Sequence, residues 1–156
     1  MRKQRLARLL RLPTRRWVGM GLVAFRALLL EWSLRHEPLT RTARRMKVSS
    51  ASTPVPVSAK AELRLDAREL ELIDDVRQVI SRRPFNGSCL RQALLVGRAL
   101  EHRKPCLQVG VAKDERGVRA HAWLVVGGVV IDGYQTTTPD NGFVVMPLKF
   151  DGSGLL

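Results

Sequence analysis

The hydrophobic pattern of the sequence changes at Pro105, and this change constrains the fold more than any other feature. Before Pro105, apolar residues recur every three or four positions, which is typical of amphipathic helices. After it, short runs alternate apolar with polar or small residues, which is typical of strands. Helices followed by strands predict an α+β fold in which an antiparallel meander packs against helices.

Four helices are predicted in the first part of the chain. The first covers residues 14–35, with Thr14 as its cap, and most of its apolar stripe is expected to pack on the main domain. A short basic helix follows over 40–46, and a third begins at Asp66. The fourth starts after Asn86-Gly87-Ser88, where Asn86 or Ser88 is the candidate cap, and runs to Leu100.

Four strands are predicted in the second part, over 106–112, 120–126, 129–132 and 143–146. Gly127-Gly128 has the residue types of a two-residue hairpin turn. A turn centred there pairs residues whose numbers sum to about 255, so Asp132 faces Trp123. Because His121 and Trp123 point to the same side of their strand, Asp132 is predicted to lie diagonally beside His121.

Positive charge is concentrated in the first third of the chain. Residues 1–50 hold 13 Lys or Arg and 2 acids, whereas the chain as a whole has 27 and 14, a net charge of +13. We divide the chain into a basic helical arm (1–50), a Ser- and Pro-rich linker or extended crossover (51–62) and a catalytic domain (63–156). The arm is suited to phosphates, anionic lipid or an acidic protein, and charge alone does not choose among them.

The arm also raises the question of a membrane. The stretch from Trp17 to Leu34 is apolar, but Arg26 and Glu31 interrupt it, and either charge is costly at the centre of a bilayer. A helix lying on a membrane surface remains open. Two cysteines and no secretory signal favour a reducing compartment, so we expect a cytoplasmic protein with possible membrane association.

Cys89, His121 and Asp132 are the candidate catalytic residues. A cysteine in the first turn of a helix meets unpaired N–H groups and the helix dipole, which stabilise a thiolate nucleophile. His121 would serve as general base and acid, with Asp132 orienting its ring. Taken singly, a buried cysteine and a strand histidine are more often structural. Cys89, His102, Cys106 and His121 lack the close spacing of zinc sites, so no metal is expected.

Three segments carry a resemblance to a known family. Residues 88–96, 107–111 and 120–124 resemble the transglutaminase-like core of lasso peptide biosynthesis B2 proteins, which are stand-alone leader peptidases. The resemblance implies a papain-like cysteine protease core with Cys89, His121 and Asp132 as its triad. For Gln92 it allows substrate binding or support of the site, although a surface role is favoured. Trp123 is expected to pack rather than touch substrate.

The resemblance also implies partners. These are a precursor peptide, a separate leader-recognition protein and an ATP-dependent lasso cyclase, with no nucleic acid. No cofactor is expected, and the ATP dependence of a maturation complex is left open. Two rival hypotheses use other chemistry: transamidation by the same triad, and a non-catalytic scaffold that binds the precursor or nucleic acid through the arm.

Overall fold

The computed structural model of the protein describes residues 14–50, 53–58, 61–82, 84–85, 87–114, 117–133, 135–137 and 143–146. The α-helices in this part of the chain are α1 (Thr14–His36), α2 (Leu39–Arg45), α3 (Ala67–Ile80) and α4 (Cys89–Ala99), followed by a short 3-10 helix (Glu101–Arg103). The strands are β1 (Ser49–Ser50), β2 (Cys106–Asp114), β3 (Gly117–Val126), β4 (Val129–Asp132), β5 (Gln135–Thr137) and β6 (Val144–Met146).

The strands form one mixed sheet of order β1-β2-β3-β4-β5, with β6 paired to β2. β2 pairs antiparallel with β3 and β6, β3 with β4, and β4 with β5, so the antiparallel pairing of the predicted strands is confirmed. The predicted meander is wrong for β6, which lies beside β2 rather than after the strand 129–132. β1 pairs parallel with β2, so the expectation of a purely antiparallel sheet was wrong at this edge. β1 and β5 were not predicted, because runs of two or three residues carry no measurable alternation.

The hairpin between β3 and β4 fixes the register of the central strands. Gly127 and Gly128 have φ values of 56° and 81°, the left-handed conformations that a type I′ turn requires. Leu124 pairs with Ile131 and Val126 with Val129, so paired numbers sum to 255 and the predicted register is confirmed.

One face of α1 packs into the same core as the other helices and the sheet. Its contributors are Met20, Val23, Ala27 and Leu30, which are at most 6% exposed. The prediction that its apolar stripe packs on the main domain is therefore confirmed for this face. The division of the chain at residue 50 stays a prediction about domain organisation.

α4 lies at the centre of the molecule, against the sheet. Gly97 permits this close approach, because a Cβ there would stand 2.5 Å from Val48 Cγ2 and 3.3 Å from Leu124 Cδ2. The extended segment 53–58 runs to the hairpin, where the Ser58 amide donates to the Gly128 carbonyl at 3.0 Å. The core thus holds α4, with Cys89 at its first residue, in a fixed position relative to the strands.

Candidate active site

Cys89 is the first residue of α4. Ser88 before it has extended backbone angles (φ −61°, ψ 153°), so the helical N–H groups begin at the cysteine. The thiol is free and partly buried, and it packs against the core. Among the described residues, Cys89 Sγ has no hydrogen-bond partner. The helix start therefore offers the environment in which backbone dipoles stabilise a thiolate.

Ser88 occupies the N-cap position without capping the helix through its side chain. Its hydroxyl instead accepts a hydrogen bond from Arg91 Nη1 at 3.0 Å. The other candidate cap, Asn86, lies outside the described residues. Because the Ser88 hydroxyl is turned to Arg91, it leaves the first-turn N–H groups uncovered, and these are the groups that would face a thiolate or an oxyanion.

Arg91 is held by an acid of α1. Its Nε and Nη2 both donate to the Glu31 carboxylate, the second at 2.8 Å. The hydrogen bond from Arg91 lowers the pKa of Glu31, and Glu31 raises the pKa of Arg91 in return. Sequence reasoning treated Glu31 only as an interruption of an apolar stretch. The structure makes it the anchor that ties α1 to the first turn of the cysteine helix.

His121 and Asp132 form the pair that the hairpin register predicts. Nε2 of His121 lies 2.9 Å from both carboxylate oxygens of Asp132, and the two side chains are 25% and 31% exposed. An imidazole whose Nε2–H donates to a carboxylate carries its free lone pair on Nδ1. The pair thus holds the tautomer that a general base needs, with Nδ1 as the nitrogen left for a thiol proton.

Two aromatic rings border the imidazole. Trp123 lies 5.9 Å and Phe143 5.4 Å from His121 between ring centroids. Gly110, which pairs with His121 across β2 and β3, leaves room for them. A Cβ there would stand 2.7 Å from Trp123 Cη2 and 3.1 Å from Phe143 Cβ. Trp123 thus packs beside the imidazole, and a glycine inside a strand was the sequence signal for this close approach.

Gln92 lies in the first turn of α4, near the residue that follows β4. Its Nε2 donates to the Gly87 carbonyl at 2.6 Å, and its Oε1 lies 3.2 Å from where a Cβ of Gly133 would stand. Gly133 directly follows Asp132 in the chain. Gln92 Oε1 thus lies near the backbone that follows Asp132, and the role of Gln92, as support of the site or as a surface residue, stays a prediction.

The structure therefore assembles the imidazole and carboxylate but does not bond the thiol to them. Strand alternation puts His121 and Trp123 on one face of β3, whereas Ala122 and Leu124 point into the core on the other. Catalytic hydrogen bonds are often long in free enzymes and tighten when substrate binds. The pairing of Cys89 with His121 stays a prediction.

In the described part of the chain, no group of three or more His, Cys, Asp or Glu is arranged to hold a metal ion. His102 is bonded to Glu69 at 2.8 Å rather than to a cysteine. Cys106 begins β2 as a free thiol.

A helix that begins at a cysteine and packs on a sheet bearing a His–carboxylate pair defines the α+β class of papain-like thiol enzymes. Residues 24–146 match the model of the transglutaminase-like superfamily, and the chain belongs to that superfamily, whose members typically use a Cys-His-Asp triad. The match runs from α1 to β6 and includes all three candidate catalytic residues. No curated protein and no solved structure matches the sequence significantly.

Proposed function

We propose that this protein is a cytoplasmic cysteine peptidase that removes the leader from a lasso peptide precursor. The superfamily includes cysteine peptidases and acyltransferases, so attack on an amide carbonyl is the shared chemistry. The observation that carries the proposal is the His121–Asp132 pair, whose free Nδ1 is the nitrogen able to take a thiol proton. The cysteine at the head of α4 supplies the nucleophile.

The reaction would proceed in two halves. His121 Nδ1 takes the proton of Cys89, the thiolate forms a C–S bond with the scissile carbonyl carbon, and first-turn N–H groups stabilise the oxyanion. The intermediate then expels the amine, which receives the proton from His121. In the second half, His121 deprotonates a water, the water forms the new C–O bond, and the C–S bond breaks to release the carboxylic acid. His121 then returns its proton to the Cys89 thiolate.

The choice of a lasso precursor rests on the resemblance of residues 88–96, 107–111 and 120–124. All three segments lie inside the superfamily match over 24–146. They supply the helix start, the strand that makes room for the rings, and the strand that bears the imidazole. With this choice come the proposed partners: a precursor peptide, a separate leader-recognition protein and the lasso cyclase.

The test is cleavage of a candidate precursor, with and without a recognition protein, followed by mass measurement of the fragments. We expect Cys89→Ala to abolish leader release, because no other group at the helix start is a nucleophile of comparable strength. Cys106→Ala is the matched control, since it removes the other free thiol at the start of β2. This control should cleave at the rate of the unmodified protein.

The products separate the rival functions. Hydrolysis adds one water across the broken bond, whereas transamidation joins the acyl fragment to an amine. Full cleavage by pure Cys89→Ala protein would contradict the catalytic assignment. A Cys89 that reacts with iodoacetamide no faster than Cys106, together with precursor binding but no cleavage, would favour the scaffold.

A further inference from the structure

The side of α1 that faces away from the core is apolar and exposed. Val18 is 72%, Phe25 57%, Leu28 55% and Trp32 51% exposed. We call this surface the outer face, and its members are Trp17, Val18, Leu22, Phe25, Leu28, Leu29 and Trp32, all at least 40% exposed. Single exposed apolar side chains are ordinary, but a contiguous set on one helix marks an interaction surface.

The geometry of the outer face is that of a continuous strip. At 3.6 residues per turn its members span about 140° of the helix circumference, and at 1.5 Å per residue they extend about 22 Å along the axis. The remaining residue of this arc is Gly21, so no charged side chain interrupts it between Trp17 and Trp32. Trp17 and Trp32 stand at its two ends.

The opposite side of α1 is fixed to the rest of the molecule. Near its start, Arg16 is paired with Asp74 and Asp75 of α3, and near its end Glu31 is paired with Arg91 of α4. The segment Arg16–His36 has the length and composition of a membrane span, and an 18-residue window within it has a mean hydropathy of 1.4. Spanning would carry both sets of ion pairs, and α3 and α4 with them, into hydrocarbon. The folded domain can therefore present the long side of α1, rather than its end, to a membrane.

The segment that carries the outer face is strongly basic in sequence. Residues 1–50 contain two acids, Glu31 and Glu37, and both are engaged in internal ion pairs, with Arg91 and Arg45. Arg35, in the last turn of α1, and Arg41, in α2, are exposed. This part of the chain thus combines an apolar contact area with an excess of cations, which fits a partner that is itself both apolar and anionic.

We propose that the outer face of α1 binds the surface of an anionic phospholipid bilayer, with the helix lying in the plane of the interface. Helices that lie there bear Trp, Phe and Leu on one face and Lys or Arg at its borders, and tryptophan settles at the headgroup level. The phosphates complement the arm's cations, and the acyl chains receive the apolar strip. This inference goes beyond the proposed peptidase function and does not depend on it.

The experiment measures binding of the full chain to vesicles of phosphatidylcholine alone and of phosphatidylcholine with about a third phosphatidylglycerol, by co-sedimentation. We expect binding to the anionic vesicles that weakens as salt is raised, because ions screen the cationic contribution. The emission of Trp17 and Trp32 should shift to shorter wavelength on binding, as exposed indoles leave water.

Two variants test the surface. The double variant Phe25→Glu with Leu29→Glu places two charges on the strip and should reduce vesicle partitioning at least tenfold. Leu70→Glu is the matched control, because Leu70 is 54% exposed on α3, outside the strip, and this change should leave partitioning as it was. Melting temperatures of both variants equal to that of the unmodified protein show that neither result comes from unfolding.

Several outcomes overturn the proposal. These are equal binding to neutral and anionic vesicles, no binding to either, and undiminished binding by the double variant. A protein that ignores vesicles but forms a dimer, with the double variant monomeric, would assign the outer face to a second copy of the chain instead.

Discussion

The protein contains two histidine–carboxylate pairs with similar distances and different surroundings. His102 Nε2 lies 2.8 Å from Glu69 at the junction of α3 and the 3-10 helix, and His121 Nε2 lies 2.9 Å from Asp132 in the sheet. Glu69 is 2% exposed, whereas the Asp132 side chain is 31% exposed. Both pairs join a histidine Nε2 to a carboxylate oxygen, so the difference between the pairs lies in what else each group contacts.

The Glu69 carboxylate is shared among several donors. Besides His102, it accepts from Arg103 Nε at 2.7 Å and Nη2 at 3.0 Å, and from the backbone amide of Asp66 at 2.7 Å. These bonds, that from Arg103 first, lower the pKa of Glu69 to about 2. The negative charge of this carboxylate is compensated by its donors, and the carboxylate holds α3 and the 3-10 helix together. The His102 side chain beside it is 57% exposed.

Within the described part of the chain, the Asp132 carboxylate accepts a hydrogen bond from the His121 imidazole alone. Trp123 and Phe143 flank that imidazole, and none of the described residues bonds its Nδ1. The comparison teaches that a histidine–carboxylate pair becomes a candidate for proton transfer when the carboxylate serves one imidazole and the ring is held in place. The first pair links α3 to the 3-10 helix, and the second is the pair proposed for proton transfer.

The largest effect that sharpens this comparison is on cleavage rate. His121→Ala should lower kcat/KM for the precursor by about 10²–10⁴-fold, the usual contribution of a positioned acid–base group. His102→Ala is its matched partner and should cleave at nearly the original rate, because within the described residues His102 bonds only the shared carboxylate of Glu69. A fragment-release assay on both variants at one precursor concentration below KM makes the measurement.

Similar rates for the two alanine variants would remove the distinction between the pairs. The rate of iodoacetamide alkylation of Cys89 adds a second readout that needs no precursor. It should fall in His121→Ala, where the base is missing, and stay unchanged in His102→Ala.

The candidate site was predictable where chain geometry alone decides it. Two consecutive glycines demand a tight turn, the turn sets the register, and the register places Asp132 diagonally from His121. The position of Cys89 at a helix start followed from the polar and glycine residues before it. Both inferences use contacts between neighbours in sequence or across one hairpin.

The remainder depends on contacts between distant segments. Glu31 and Arg91 are 60 positions apart, and no local pattern indicates that this ion pair turns the Ser88 hydroxyl away from the helix start. Phe143 reaches His121 only because β6 pairs with β2 beyond the hairpin. The exposure of the outer face of α1 was equally hidden, because its apolar residues and those of the buried face are both consistent with a core helix.

The next effect concerns stability in acid. The folded pKa of Glu69, about 2, lies below its ordinary value of 4.5, so its contribution is complete above pH 4.5 and is lost as pH falls toward 2. Glu69→Gln should lower the free energy of unfolding at neutral pH by about 1–3 kcal/mol. It should also flatten the loss of stability between pH 4.5 and 2. Urea titrations across this range measure both.

Asp132→Asn is the control for Glu69→Gln, since it neutralises the carboxylate of the other pair. A partly exposed pair of this kind contributes about 1 kcal/mol or less, so the free energy of unfolding should change little. If Asp132→Asn destabilised the fold as much as Glu69→Gln, the sheet pair would have to be counted as structural.

The smallest effect isolates one element of the Glu69 cluster. Asp66 Oδ1 accepts from the Glu69 amide at 2.8 Å while the Glu69 carboxylate accepts from the Asp66 amide, a reciprocal capping box at the start of α3. Asp66→Ala removes the first bond and keeps the second, so it should cost about 1 kcal/mol in urea unfolding. Asp66→Asn, which retains an acceptor oxygen, should recover most of this loss.

Because α3 carries no group of the proposed triad, cleavage by both variants should match that of the unmodified protein. A fall in cleavage with Asp66→Ala that Asp66→Asn did not reverse would instead link the Glu69 cluster to the site in the sheet.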